Sequence, residues 1–157
     1  PTDVAKGCWA FAKLRYLDEV PAADFWRAAS REAPRTVRSA RFVDVSMMAW
    51  AFAMAGRGFG GGDLFTEVAT ATRCAMDTLA PRSLASISWA CAKVGHRDVN
   101  LFRDIARRAR VAVEDFGAHD VAAFVWGFTV AGAEEPQLYE AFASHLVASG
   151  AARRLSP

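Results

Sequence analysis

The sequence predicts an all-α fold, an α-solenoid of about four helix–turn–helix repeats of 37–41 residues each. Three observations carry that prediction. Trp9, Trp50, Trp89 and Trp126 open the related stretches WAFAKLR, WAFAMAG, WACAKVG and WGFTVAG, at spacings of 41, 39 and 37 residues. Downstream of each lies a second related stretch: FWRAAS from Phe25, LFTEVA from Leu64, LFRDIA from Leu101 and LYEAFA from Leu138. Both stretches space their apolar residues as helices do, and no segment of useful length alternates with the period of a strand. Two helices per repeat bury their apolar faces only by stacking on neighbouring pairs, which makes a solenoid. The array is expected to occupy residues 1–157 as one unit, with repeats at about 1–41, 42–78, 79–115 and 116–150.

The first helix of each repeat, helix A, is read with its tryptophan as position zero. In the first repeat Val4 stands at −5 ahead of Trp9, and helix B begins near Phe25. In the second, Val45, Met48, Ala49, Phe52 and Ala55 fall at −5, −2, −1, +2 and +5, one side of a helical wheel. Helix B follows with Asp63 as an acidic N-terminal signal before Leu64. The third repeat places Leu84, Ile87, Ser88, Cys91 and Val94 on the same side. Asp98 then precedes a helix B with Leu101, Phe102, Ile105 and Ala106 inward. The fourth has Val121 at −5, and Pro136 suits the first turn of its helix B.

The positions around the tryptophans predict how A helices meet. Ala5 and Ala12, Ser46 and Ala53, Ala85 and Ala92, and Ala122 and Thr129 flank them one turn away at −4 and +3. Small flanks let neighbouring helices approach closely. The large rings between them are expected to be core ridges, because aromatic side chains dominate core burial.

Residues 56–61 satisfy G-x-G-x-x-G at Gly56, Gly58 and Gly61, the spacing of a pyrophosphate cradle. That chemistry needs a strand before the glycines and a helix N-terminus after them. The preceding Val45–Ala55 segment has helical spacing, and no Lys-Ser/Thr follows. The run is expected to be an enlarged loop, in the slot filled by HRDVN in the third repeat and AEEPQ in the fourth.

Composition bounds the function further. An apolar content of 53% suffices for a core, and a net charge of +2 gives no strong field toward polyanions. Sixteen arginines against three lysines is a lopsided ratio, suited to phosphate or carboxylate recognition but equally a product of codon bias. Cys8, Cys74 and Cys91 lack C-x-x-C spacing, and His96, His119 and His145 lie far apart, so no metal site is expected. Carboxylates are scattered and Ser and His share no motif, so neither an enzyme nor a small-molecule substrate or cofactor is expected. The longest apolar stretch, 13 residues from Val121, is too short to span a bilayer, and no targeting segment is visible. The chain opens at Pro1 without methionine, which predicts a processed product or part of a longer chain.

The stripe at −3, +1 and +4 is read as lying opposite the core. Position +1 is small throughout: Ala10, Ala51, Ala90 and Gly127. Position −3 holds Lys6, Met47, Ser86 and Ala123, and position +4 holds Lys13, Met54, Lys93 and Val130. All three lysines therefore fall on it. Small residues at its middle would admit a ligand backbone, and variable residues beside a fixed frame are how helical repeats read one RNA base per unit. The alternative is a solvated face that merely tolerates lysine. Arg103, Arg107 and Arg110, with Arg108 beside them, form a second basic candidate on helix B of the third repeat, against the usual reading of such runs as solvated.

WAFAKLR and WACAKVGHRDVNLFRDIA resemble the helical repeats of the octotricopeptide family of green algae and the heptatricopeptide repeats of apicomplexans, kin to FAST-kinase-like proteins. The likeness runs from Val4 to about Val147. The first repeat lacks the Gly-His pair, and the fourth lacks the alanine-lysine part. The resemblance implies RNA binding in a mitochondrion, or alternatively a plastid. The roles it implies are messenger maturation and stability, or membership of an organellar ribosome with ribosomal RNA. Many members end in a RAP domain; nothing in this sequence resembles one, so no nuclease site carries over.

These readings together predict a non-catalytic, organellar RNA-binding protein, with Lys6, Lys13, Ser86, Lys93, Arg103, Arg107 and Arg110 as its RNA-contacting residues. The rival is a protein–protein scaffold that makes no direct RNA contact. The fourth repeat reads as too apolar for a terminal cap, so protein subunits or further repeats are expected at the C-terminal edge.

Overall fold

The computed structural model of the protein describes residues 2–17, 20–56 and 61–151. Among them the fold is all-α: eight α-helices and two short 3₁₀ turns, with no strand. The helices are α1 (Thr2–Lys13), α2 (Val20–Val37), α3 (Phe42–Met54), α4 (Gly61–Cys74), α5 (Pro81–Lys93), α6 (Val99–Arg110), α7 (Ala118–Ala131) and α8 (Pro136–Ala148). The 3₁₀ turns, Met76–Thr78 and Val113–Asp115, lead from α4 to α5 and from α6 to α7.

Odd-numbered helices pack in sequence, α1 on α3, α3 on α5 and α5 on α7, and so form one layer. Even-numbered helices make a second, more loosely packed layer in the same order, and each pair also meets across the layers. The predicted inward positions of helix A hold except at Val4 and Val94, which are half-buried. Val45, Met48, Ala49, Phe52, Leu84, Ile87, Ser88 and Cys91 are all buried. Opposite them α2 inserts Trp26, edge-on to Phe52 at 5.2 Å, and α6 inserts Phe102, edge-on to Phe128 at 5.1 Å. Phe124 stacks on Phe128 at 4.1 Å and meets Phe116 and Phe142 edge-on. Emptying a site so enclosed costs about 3–5 kcal/mol for Phe→Ala. This cluster absorbs much of the apolar content of the fourth repeat, since Leu138 and Phe142 are buried within their own unit.

Helix starts follow the sequence signals in part. Asp98 caps α6, its carboxylate accepting from the backbone N–H of Asn100 at 2.9 Å and of Leu101 at 3.0 Å. Pro136 opens α8 as expected, and Pro81 does the same for α5. The Asp63 signal falls on a side chain outside the described residues.

Helix A ends alike in every repeat. The residue at +6 takes a left-handed conformation: Arg15 (φ 53°), Gly56 (67°), Gly95 (77°) and Gly132 (71°). In three repeats the next amide reaches back to the +2 carbonyl: Tyr16 to Phe11, His96 to Cys91 and Ala133 to Phe128. Gly56 is thus a helix terminator. Gly58 lies outside the described residues, and Gly61 begins α4. With a helix in front of Gly56, the strand that a nucleotide cradle requires is absent.

The second layer is laced by one arginine–carboxylate contact at each junction. Arg38, just past α2, pairs with Glu67 of α4, its Nε 2.9 Å from Oε2. Arg73 of α4 reaches Asp104 of α6 at 3.1 Å, and Arg110 of α6 pairs with Glu135 ahead of α8. Three of the arginines thus act as clasps between repeats. With exposed guanidinium groups, each contributes little by itself, about 0–1 kcal/mol.

Candidate functional site

The A-helix layer has an outer face, and the structure redraws the residues on it. The expectation that the repeat tryptophans are core ridges holds in part for Trp50 and Trp89, which pack against the core, and fails for Trp9 and Trp126. Trp9 is 41% exposed and Trp126 42% exposed, while Trp50 and Trp89 are half-buried. Trp26, the one tryptophan outside the repeat position, is fully buried. On a 3.6-residue wheel, position zero lies almost opposite the centre of the −5, −2, +2, +5 core arc, so helix geometry overrides the tendency of aromatic residues to be buried.

The small residues at +1 are likewise not an open ligand track. Ala51, Ala90 and Gly127 are buried, and only Ala10, on the first described A helix, is half-buried. Their smallness serves helix contact: a Cβ on Gly127 would lie 2.8 Å from the backbone of Ser88 and Trp89. Positions −4 and +3 fit the other side of the same contact. Ala5, Ala12, Ser46, Ala53, Ala85 and Ala92 are buried, whereas Ala122 and Thr129 of α7, the last A helix, are exposed.

The outward face therefore consists of positions −7, −3, 0 and +4. It reads Thr2, Lys6, Trp9 and Lys13 on α1, then Val43, Met47, Trp50 and Met54 on α3. It continues with Arg82, Ser86, Trp89 and Lys93 on α5, and His119, Ala123, Trp126 and Val130 on α7. None of these residues is a carboxylate. Lys6, Lys13, Arg82 and Lys93 give the face four positive charges, while the whole chain carries +2, so everything else is net acidic. Lys93 holds its Nζ 5.5 Å from the Trp89 ring centroid, and the Trp89 and Trp126 rings lie 5.7 Å apart.

Asp3 of α1 and Asp120 of α7 stand at −6, at the edge of this face, and the third carboxylate at that register, Asp44 of α3, is buried and occupied. It accepts from the Thr2 hydroxyl at 3.0 Å and from Arg41 Nε at 3.1 Å. Burial pushes its carboxyl up, but those two hydrogen bonds and the charges of Arg41 and Lys6 more than offset it, and the net shift is downward.

The structure thus brings Lys6, Lys13, Ser86 and Lys93 onto one face and leaves Arg103, Arg107 and Arg110 on another, the second layer. There Arg103 donates to Asn100 Oδ1 at 2.8 Å, Arg107 lies 3.4 Å from Asp104, and Arg110 is the clasp to Glu135. Arg31 and Arg35 are different: exposed on α2, they line a shallow groove with Arg38 and Glu67, and neither has an ion-pair partner among the described residues. Sequence reasoning missed the tryptophans and Arg82 as surface residues. The −7 register that finds Arg82 is the same wheel carried one turn further.

Burial pushes the Cys8 and Cys91 thiols up to about 12. Among the described residues no group of three His, Cys, Asp or Glu side chains could hold a metal ion. No helix among them is long and apolar enough to cross a membrane. Comparison of the chain with protein-family models and with curated proteins finds no match.

Proposed function

We propose that the protein is a non-catalytic RNA-binding helical-repeat protein, a solenoid that receives RNA on the outer face of its A layer. The observation that carries this reading is the composition of that face: tryptophan at a repeating register, lysine or arginine beside it on α1 and α5, and no carboxylate at its four positions, on a chain whose remainder is net acidic. Phosphate binding needs such local positive charge rather than a high total. The resemblance of the repeats to octotricopeptide and heptatricopeptide sequences supports the same reading. It adds an organellar setting, a mitochondrion ahead of a plastid, and a role in RNA maturation, RNA stability or an organellar ribosome. Lys6, Lys13 and Lys93 contact phosphate, and Ser86 offers a hydroxyl between them. Arg103, Arg107 and Arg110 are secondary in this reading, because Arg107 and Arg110 already hold carboxylates.

Fluorescence anisotropy of labelled single-stranded RNA, titrated with the chain at several salt concentrations, tests it. Binding should weaken steeply with salt, and Lys6→Gln, Lys13→Gln and Lys93→Gln together should reduce the salt slope by up to about one unit per lost phosphate contact. A triple variant with unchanged affinity and slope would remove this face from RNA binding.

A protein-scaffold reading has one observation in its favour. The side of α7 away from α5 leaves Ala122, Thr129 and Val130 open beside Trp126, where the earlier A helices are covered. Finding the chain in its native assembly surrounded by protein alone would favour that reading.

A further inference from the structure

We propose that the repeat tryptophans are stacking platforms for unpaired nucleobases, so that the A face binds single-stranded rather than duplex nucleic acid; this rests on the RNA reading above. Trp9 and Trp126 are the open platforms, and Trp50 and Trp89 are the partly covered ones.

Helix geometry makes the first case. An indole on the outward face of a helix leaves a large apolar ring in water unless something covers it, and here the four rings share one register, with Trp9 and Trp126 exposed. A structural role explains the two middle rings only in part. Trp89 touches Trp126 and carries Lys93, but Trp9 has no aromatic partner among the described residues and still stands 41% exposed. The wholly buried Trp26 shows where this chain places an indole that serves the core.

Charge makes the second case. The rings differ in their −3 and +4 neighbours on the same helix: Lys6 and Lys13 flank the open Trp9, Ser86 and Lys93 flank the partly covered Trp89, and the open Trp126 has Ala123 and Val130. An aromatic ring between ammonium groups, with no carboxylate at the face's four positions, suits a ligand with flat π-surfaces and an anionic backbone. Single strands offer both together, whereas a duplex hides its base faces within its own stack. An apolar peptide would find the rings, but not a use for four cations.

Packing makes the third. Adjacent A helices stand one helix width apart, about 8–10 Å, so successive platforms suit an extended strand whose bases are not stacked on each other. The Trp89–Trp126 pair, in mutual contact at 5.7 Å, offers an outer surface at Trp126 rather than a slot.

The test combines affinity with the emission of the tryptophans themselves. Labelled oligouridylate, a duplex RNA of equal length and an acidic peptide of equal charge are titrated by anisotropy against the chain and against Trp9→Ala, Trp126→Ala, Trp9→Phe and Trp126→Phe. The proposal expects single strand to bind ahead of duplex and to quench tryptophan emission. Each alanine variant should lose about 5- to 100-fold in affinity, and phenylalanine should restore most of it. Circular dichroism and urea midpoints of all four variants separate loss of stacking from loss of fold. Binding that is insensitive to both alanine variants, yet lost in Lys6→Gln, Lys13→Gln, Lys93→Gln, overturns the platforms and leaves the RNA reading standing. Preference for duplex overturns the platforms as well. Binding of the acidic peptide alone overturns both.

Discussion

Gly127 in α7 lies against the backbone of Ser88 in α5, so near that a methyl group on its Cα would meet the Ser88 carbonyl carbon at 2.8 Å. The equivalent residues of the second and third repeats, Ala51 and Ala90, do carry that methyl and are fully buried. The α5–α7 junction is therefore tighter than the equivalent junctions before it, and it is the most extensive helix–helix contact among the described residues. Backbone cannot swing aside as a flexible side chain can. Gly127→Ala should destabilise the fold by about 1–3 kcal/mol, as overpacked cores do, although alanine is the better helix former by about 1 kcal/mol. Urea denaturation checks the sign. A variant more stable than the parent would mean that α7 shifts freely on α5.

Arg15 is the counterpart of Gly56, Gly95 and Gly132, and it alone must hold a side chain at positive φ. For an L-residue that conformation costs roughly 1–2 kcal/mol, and the exposed Arg15 has no partner among the described residues to offset it. Arg15→Gly should raise stability, by about 1 kcal/mol after the entropy glycine regains in the unfolded chain is discounted. Equal or lower stability on thermal unfolding would show that the first repeat ends its helix A by different means.

The same four positions show what the sequence makes legible. Helix existence and order could be read because two kinds of periodicity coincide, 3.6 residues within a helix and about forty between repeats. The core arc of helix A could be read for the same reason, down to Ser88, whose buried hydroxyl donates to the Ala85 carbonyl at 3.0 Å. The exposure of Trp9 and Trp126 follows from wheel position, against the tendency of aromatic residues to be buried. The +1 alanines were misplaced because a wheel shows which side faces the core but not on which side the neighbouring helix sits. That second fact is tertiary. So are the Arg38–Glu67, Arg73–Asp104 and Arg110–Glu135 clasps, which join residues 25 to 31 apart.

Asp44 gives the fold a pH dependence of definite sign. Its carboxyl sits below the ordinary value of 3.8, because the hydrogen bonds from Arg41 and Thr2 outweigh the cost of burial. A depressed folded value means that the proton binds the unfolded chain more readily. The stabilisation is present above 3.8 and is lost as pH falls through the folded value. Glu67 is shifted in the same direction by the hydrogen bond and charge of Arg38, and adds to the same acid limb. Urea midpoints measured between pH of about 5 and about 2 should fall for the parent and fall less for Asp44→Asn. Parallel curves for the two proteins would take the acid limb away from Asp44.

The last prediction concerns the uncovered side of α7. In the first three repeats, positions −4 and +3 are buried beneath the following A helix; in α7 they are Ala122 and Thr129, both exposed, beside Val130 and Trp126. Helix α8 does not screen this side, because Leu138 and Phe142 are already spent on the core with Phe116 and Phe124. Among the described residues α8 contains no arginine of the kind that Arg38, Arg73 and Arg110 supply at earlier junctions. Without a partner, the small, apolar and uncharged side should find a second copy, since a small-residue helix face is what it packs against elsewhere in this chain. Sedimentation of residues 1–157 should therefore show concentration-dependent association. Ala122→Glu with Thr129→Glu, placed on the open side and off the tryptophan register, should return the chain to a monomer with its helical content intact. A parent protein that stays monomeric at millimolar concentration would show that this side is stable in water as it stands.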